Sequence, residues 1–188
     1  MREELLRLMA EHGHRFREEP FTLVSGRRSQ HYFDCKKVTL WPDRLWLLAG
    51  LIVEEMLPRL SGFQGVGGLT MGADPLAYGI SSYSFANKKN IIWPLIVRKT
   101  EKDHGTQSRI EGNLDAVSAV IALDDVVTTG GSTLQAVQAF RAAGKTVEHA
   151  LVILDREEGG REALEKEGVV LHAIFSKTDF LLQGQTDV

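Results

Sequence analysis

At 188 residues, 43% hydrophobic and 25% charged, the chain is long enough to bury one sizeable core and is read as a single globular domain over 1–188. A formal net charge of −3 points away from a nucleic-acid-binding surface, and the richest apolar segment, Leu45 to Val53, is far too short to span a membrane. One cysteine, Cys35, excludes an intramolecular disulfide and suits a reducing cytoplasm, and Glu3 and Glu4 stand where a signal peptide would need its apolar core.

Residues from about Glu3 to Glu11 read as an amphipathic helix with Leu5, Leu8 and Met9 on one face. His12 and His14, two apart on such a helix, would point to different faces and are read as surface residues rather than a metal pair. From Phe21 to Asp34, apolar and polar residues alternate on both sides of Ser25-Gly26, which predicts a hairpin outside the main sheet. Cys35 follows in an extended, aromatic-rich segment without a partner motif, so it is not read as a nucleophile. Asp43 to Leu57 predicts a helix with Leu45, Leu48, Ile52 and Met56 on its buried face and Pro58 at its end. A strand around Gly65 to Gly67 then leads into Gly68-Leu-Thr-Met71-Gly72-Ala-Asp74-Pro75, where Asp74 is the expected N-cap and Pro75 fits the first helical position. Ile91 to Val97 is a strongly apolar strand, and Pro94 within it predicts an edge or a bulge. Next comes an aperiodic run rich in charge. From Arg98 to Arg109, four positive residues (Arg98, Lys99, Lys102, Arg109) face two negative ones (Glu101, Asp103), a local net of +2 with His104 neutral. A loop of this length in a compact domain tends to be functional, and a mobile loop is expected over about 99–111.

The most informative stretch is Val120-Ile-Ala-Leu-Asp124-Asp125-Val126-Val127-Thr128-Thr129-Gly130-Gly131-Ser132-Thr133. It opens as a β-branched apolar run suited to a buried parallel strand and ends in two carboxylates and a run of small residues. An amphipathic helix follows, with Leu134, Val137 and Phe140 at helical spacing and Gly144 in the stop position. In parallel α/β sheets ligands bind at strand carboxyl ends, and a helix N-terminus offers free N–H groups to an anion. The residues therefore describe a phosphate cradle beside two carboxylates suited to sugar hydroxyls or a metal. No Lys follows the glycines, so this is no Walker A loop, and Thr70 stands where a dinucleotide fingerprint after Gly65 and Gly67 needs its third Gly. Val147 to Leu154 predicts another buried strand, which puts Arg156 on the same rim. Arg161 to Lys166 reads as a short helix and Val169 to Phe175 as the last strand, with His172 a core or interface residue and a short polar end.

Strand, Asp-Asp, two residues, then Thr-Thr-Gly-Gly-Ser-Thr resembles the phosphoribosyl pyrophosphate (PRPP) signature of type I phosphoribosyltransferases. Phe21-Thr-Leu-x-Ser25-Gly26-x-x-Ser29-x-x-Tyr32 resembles the N-terminal hood of orotate phosphoribosyltransferases, and Arg98-Lys99-x-x-Lys102-x-His104-Gly105 their catalytic loop. The resemblance runs from Phe21 to about Arg161. It implies an α/β type I phosphoribosyltransferase fold: a central, mostly parallel sheet flanked by helices, with a small hood mainly within 1–40. The implied reaction converts orotate and PRPP to orotidine 5′-monophosphate and pyrophosphate in UMP biosynthesis.

Carried over residue by residue, the resemblance implies PRPP contacts at Arg98, Lys99, Lys102, His104 and at Asp124, Asp125, Val126, Val127, Thr128, Thr129, Gly130, Gly131 and Ser132. Among these, Lys99, Lys102, His104, Asp124 and Asp125 are the expected catalytic groups. Orotate contacts are implied at Tyr32, Phe33, Thr128 and Arg156. Mg²⁺ is implied as a passenger on PRPP, without assigned protein ligands. A homodimer is also implied, its catalytic loop reaching the neighbouring subunit's site. Two departures stand out. Val24 occupies a position where several members carry Lys, and Met71-Gly72 replace a Tyr-Lys pair found in some. These substitutions leave open a phosphoribosyltransferase for a purine or uracil. A PRPP-binding regulator without turnover is a further alternative, although the chain has neither spare length for a DNA-binding module nor a basic patch.

Overall fold

The computed structural model describes residues 1–22, 28–100 and 109–183. Helix α1 (Arg2–Leu8) runs through a π-helical turn (Met9–Gly13) into an antiparallel hairpin of β1 (His14–Thr22) and β2 (Arg28–Phe33). The short α2 (Lys36–Thr39) and α3 (Pro42–Leu51) follow, and α3 continues through π and 3-10 turns to Arg59. Then come β3 (Gly65–Leu69), α4 (Asp74–Ala86), β4 (Trp93–Val97), β5 (Ile110–Glu111) and β6 (Val120–Val127). The remaining elements are α5 (Gly131–Ala142), β7 (His149–Asp155), α6 (Gly160–Lys166), β8 (Val170–Ser176) and α7 (Lys177–Gln183).

The main sheet has the order β5-β4-β3-β6-β7-β8, and every pairing is parallel except that of β5 with β4. The hairpin forms its own two-stranded sheet, as its alternation predicts. It begins earlier than the motif at Phe21, because His14 already pairs with Phe33. Pro94 lies on the part of β4 that the two-residue β5 leaves uncovered, so its missing N–H interrupts no outer ladder.

Because β6 and β7 are central, both faces of each strand are buried, and successive residues serve two cores. Ile121, Leu123, Leu151 and Ile153 pack under α1, α3 and α4 together with Phe33 and Phe180, so the hood and the sheet share one core. On the opposite face Val120, Ala122, Ala150 and Val152 pack against Val137 and Phe140 of α5 and Leu164 of α6.

Three local expectations need correction. His14 is a β1 residue rather than a helical one and is half-buried, its ring bonded to His31 (2.9 Å) and stacked on Phe33. Asp74 is the first helical residue of α4, with Ala73 in the cap position, because its carboxylate turns back to accept the Thr70 hydroxyl (2.6 Å). Beyond Phe175 the chain forms α7, held by a reciprocal cap: Asp179 Oδ2 accepts the Ser176 amide (2.7 Å) while Ser176 Oγ accepts the Asp179 amide (3.3 Å). Phe180 of α7 is buried against Phe33, His14 and Phe175.

The central strand β3 needs its glycines. A Cβ on Gly68 would collide with the Leu123 carbonyl of β6, and one on Gly67 with the Leu95 carbonyl of β4. Neither carbonyl can swing aside, since both belong to the sheet. Gly68→Ala is therefore expected to cost about 3 kcal/mol or more, the upper end for overpacking. Urea unfolding measures it, and a midpoint unchanged from wild type would show that β3 can shift to make room.

Candidate active site

The strand order reverses between β3 and β6, so a crevice opens at their carboxyl ends. Asp124 and Asp125 sit there, near the end of β6. Asp124 is only 6% exposed. Its Oδ2 accepts hydroxyl bonds from Ser132 (2.6 Å) and Thr133 (2.9 Å), and its Oδ1 accepts the Asp125 amide (3.0 Å). Burial raises the Asp124 pKa, the Ser132 bond partly offsets this, and the Asp125 charge adds to it, leaving the carboxyl pushed up to about 6. Asp125 is half-buried and accepts the Val126 amide on Oδ1 (3.0 Å).

Thr128 and Thr129 bridge from β6 to α5. Gly130 caps the helix with φ +85°, a left-handed conformation that favours glycine. The first helical bond is Leu134 N–H to the Gly130 carbonyl (2.9 Å), so the amides of Gly131, Ser132 and Thr133 belong to the helix's unpaired first turn. With the helix dipole behind them they form an anion cradle. The start of α6 packs close to this loop: a Cβ on Gly160 would stand 2.7 Å from the Thr128 carbonyl and 3.1 Å from the Gly130 nitrogen.

Across the crevice, the turn from β3 to α4 brings Gly72 up to the carboxylates. A Cβ there would lie 2.6 Å from Asp125 Oδ1 and 3.3 Å from Asp124 Oδ1. The other end of the site lies where β7 leaves the sheet. The Arg156 amide donates to the Val127 carbonyl (2.9 Å), which fixes its backbone beside the cradle. Its side chain is 6% exposed, with Nη2 2.9 Å from Glu158 Oε1, yet Nε and Nη2 lack a well-aligned hydrogen-bond acceptor among the described residues. Its guanidinium lies 5.9 Å from the Phe33 ring. A buried arginine with donors to spare suits a planar anion.

The predicted site residues thus fall into three sets. Asp124 to Ser132, with Val126 and Val127 the last two residues of β6, line one rim together with Arg156. Phe33 is buried beneath Arg156, whereas Tyr32, next to it on β2, is 41% exposed. Arg98 follows directly on β4 with its guanidinium 3.3 Å from Glu111, and Lys99 comes next, exposed. Lys102 and His104 lie outside the described residues, as does Val24. Sequence reasoning missed Thr133 as a second hydroxyl on Asp124, although it belongs to the same small-residue run. It also missed Lys36, whose Nζ stands 3.5 Å from Asp34 and 4.0 Å from Asp125, for no motif marks it. The Cys35 thiol is fully buried, and burial together with the Asp125 charge holds its pKa well above the ordinary range, which leaves it unreactive.

No protein-family profile matches the chain. It is 49% identical over 180 residues to the orotate phosphoribosyltransferase of Leptospira biflexa, covering 95% of this chain and 97% of that one. The corresponding Aquifex aeolicus protein is 42% identical over 181 residues, with 96% and 97% covered. The chain belongs to the orotate phosphoribosyltransferase family. The family's member from Mycobacterium tuberculosis H37Rv, solved with Fe(III) dicitrate and with PRPP, matches at TM-scores of 0.80 and 0.76 and identities of 33% and 31%. Both matches cover 95% of this chain and 98% of that one. The fold is accordingly that of type I phosphoribosyltransferases, as the motif order implies.

The Asp124 carboxyl carbon should titrate with a midpoint near 6 by NMR. Ser132→Ala should raise it by removing a bond to the charged form, and Asp125→Asn should lower it by removing a like charge. A wild-type midpoint near the ordinary 3.8 would mean that water reaches the carboxylate. Between these two values the folded chain holds a proton that the unfolded chain has released. The Asp124 contribution to stability is therefore full at acid pH and falls as pH rises through that window.

Proposed function

We propose that the chain transfers the 5-phosphoribosyl group of PRPP to orotate, giving orotidine 5′-monophosphate and pyrophosphate for UMP synthesis. The supporting observation is one rim that joins an anion cradle, a carboxylate pair with Asp124 buried, and a buried arginine with unused donors. The amides from Thr128 to Ser132 hold the 5′-phosphate, so binding energy from a non-reacting group positions C1′. Asp125 accepts the ribose hydroxyls together with Asp124, and the pair offsets the positive charge that grows on the ribose as the C1′–O bond breaks. Negative charge grows at the same time on the departing pyrophosphate. Arg98, Lys99, Lys102 and His104 meet it, and their stabilisation acts only in the transition state. The Arg156 fork takes the orotate carboxylate, Thr128 lies beside it, and Phe33 and Tyr32 present the hood face to the base.

Among the described residues no three His, Cys, Asp or Glu side chains are grouped to cage a metal. The adjacent Asp124 and Asp125 oxygens do suit Mg²⁺ arriving on phosphate oxygens, as an ion that keeps several non-protein ligands requires. When bound, Mg²⁺ supplies charge neutralisation on PRPP.

The outward surfaces of α3 and α4 support a homodimer that shares the basic loop between subunits. Trp41, Trp46, Tyr78 and Phe85 are 51%, 48%, 57% and 74% exposed there, large side chains available to a second copy of the chain. No helix among the described residues is long and apolar enough to cross a membrane. The reduced Cys35 fits a cytoplasmic enzyme working on two small-molecule substrates, without nucleic acid or membrane.

Following orotate consumption with PRPP and Mg²⁺ in a spectrophotometer tests the reaction directly, and no consumption at micromolar enzyme would end the proposal. Lys102→Ala should lower kcat by about 10²–10³, the usual worth of one transition-state donor. An unchanged kcat would remove Lys102 from the chemistry. Arg156→Ala should raise the KM for orotate far more than that for PRPP, and equal effects on both would take it out of the base site.

A further inference from the structure

The carboxylate pair poses an electrostatic problem for a polyanionic substrate. PRPP must lay its ribose against Asp124 and Asp125 while its pyrophosphate sits on the adjoining carbon. The nearest cradle is neutral on this side. Gly72 fills the space opposite Asp125 with backbone alone, and a side chain there would strike the carboxylate. Arg156 lies at the other end of the rim, where β7 leaves the sheet. Among the described residues, Lys36 is the cation within ion-pair distance of the pair.

Its placement is well defined at the base and free at the tip. Asp34 Oδ1 accepts the Lys36 amide (3.2 Å) and lies 3.5 Å from Nζ, so one carboxylate anchors both ends of the residue. The buried Cys35 beside it feels the charges of Asp125 and Asp124, which places the whole 34–36 turn against the pair. Yet the Lys36 side chain is 51% exposed, and its 4.0 Å separation from Asp125 Oδ2 is a loose pairing that can be exchanged. Partial burial disfavours its charge, but Asp125 and Asp34 outweigh that and raise its pKa, so the amine stays protonated throughout the working range.

We propose that Lys36 is a further PRPP-contacting residue: its ammonium turns from Asp125 to donate to the pyrophosphate oxygens beside C1′. It thereby supplies from the hood a cation at the leaving group, anchored at its backbone by Asp34 and independent of the loop beyond Lys99. No bond is made or broken by Lys36. It donates hydrogen bonds to oxygens whose negative charge grows as C1′–O cleaves, and Asp125 is released at the same moment to accept ribose hydroxyls.

This inference rests on the proposed PRPP reaction, and the test separates the two. Wild-type turnover of orotate and PRPP is measured first, and its failure speaks to the reaction alone. Calorimetry then compares binding of PRPP and of inorganic pyrophosphate, each with Mg²⁺, to wild type, Lys36→Met and Lys36→Arg. One charge-assisted contact predicts about 10- to 100-fold weaker binding of both ligands to Lys36→Met. In turnover, the KM for orotate should stay within about twofold of wild type, and Lys36→Arg should recover most of the loss, because the charge persists. The melting temperature should hardly move, since an exposed ion pair contributes little to stability. Unaltered pyrophosphate and PRPP affinity in Lys36→Met would overturn the proposal. So would weaker PRPP binding with pyrophosphate binding intact, for Lys36 would then act on the ribose through Asp125 alone.

Discussion

The architecture of the site turns on burying one carboxylate. Asp124 is enclosed at the end of a central strand with a second acid next to it in sequence, an arrangement that costs several kcal/mol unless partners are supplied. Two hydroxyls from the first turn of α5 and one backbone amide supply them. The same contacts that neutralise this cost dock the N-terminus of α5 against β6. The anion cradle and the carboxylate pair are therefore one structure. Ser132 stands in both, bonding Asp124 through its hydroxyl and offering its amide to the cradle.

A second constraint is the way the hood is tied down. Phe33 of β2 lies between His14, Phe180 and the Arg156 guanidinium. Helix α7 provides Phe180 and is itself anchored where Glu157 accepts the Thr178 amide (3.1 Å) and hydroxyl (2.7 Å). Glu157 is the neighbour of Arg156, so the turn that presents the arginine also holds the helix that seats the hood. Burial, then the nearby positive side chains of Lys177 and Arg156, lowers the His31 pKa, and burial, then His31, lowers that of His14. Both rings thus remain neutral near pH 7, which preserves their mutual hydrogen bond and the stack on Phe33.

Charge is distributed around this frame by position. Arg156 is buried, paired with Glu158 and fixed beside the cradle, which favours orientation of a carboxylate over mobility. Lys99 is exposed at the mouth of the basic loop, where reach matters more than precision. Lys36 lies between these extremes, anchored at its backbone and loose at its amine. The glycines fit the same logic. Gly72 and Gly160 stand where backbone must approach a carboxylate or the Thr128–Gly130 turn more closely than any side chain permits.

Much of this was legible in sequence because it depends on local order. A β-branched run ending in Asp124-Asp125 and followed by Thr-Gly-Gly-Ser-Thr dictates a buried strand, a tight turn and a helix start, whatever lies around it. The hood hairpin follows from period-two alternation, and even α7 had a local sign in Ser176-x-x-Asp179. What only the tertiary structure decided are the meetings of residues distant in the chain. The seating of Phe33 on Arg156 and His14 and the approach of Lys36 to Asp125 leave no periodic trace, since each depends on where separate elements end in space. Local sequence governs backbone conformation through sterics and hydrogen bonding over a few residues. The electrostatics of the site come from charges and surfaces that only the packed sheet, hood and α7 bring within a few ångströms of one another.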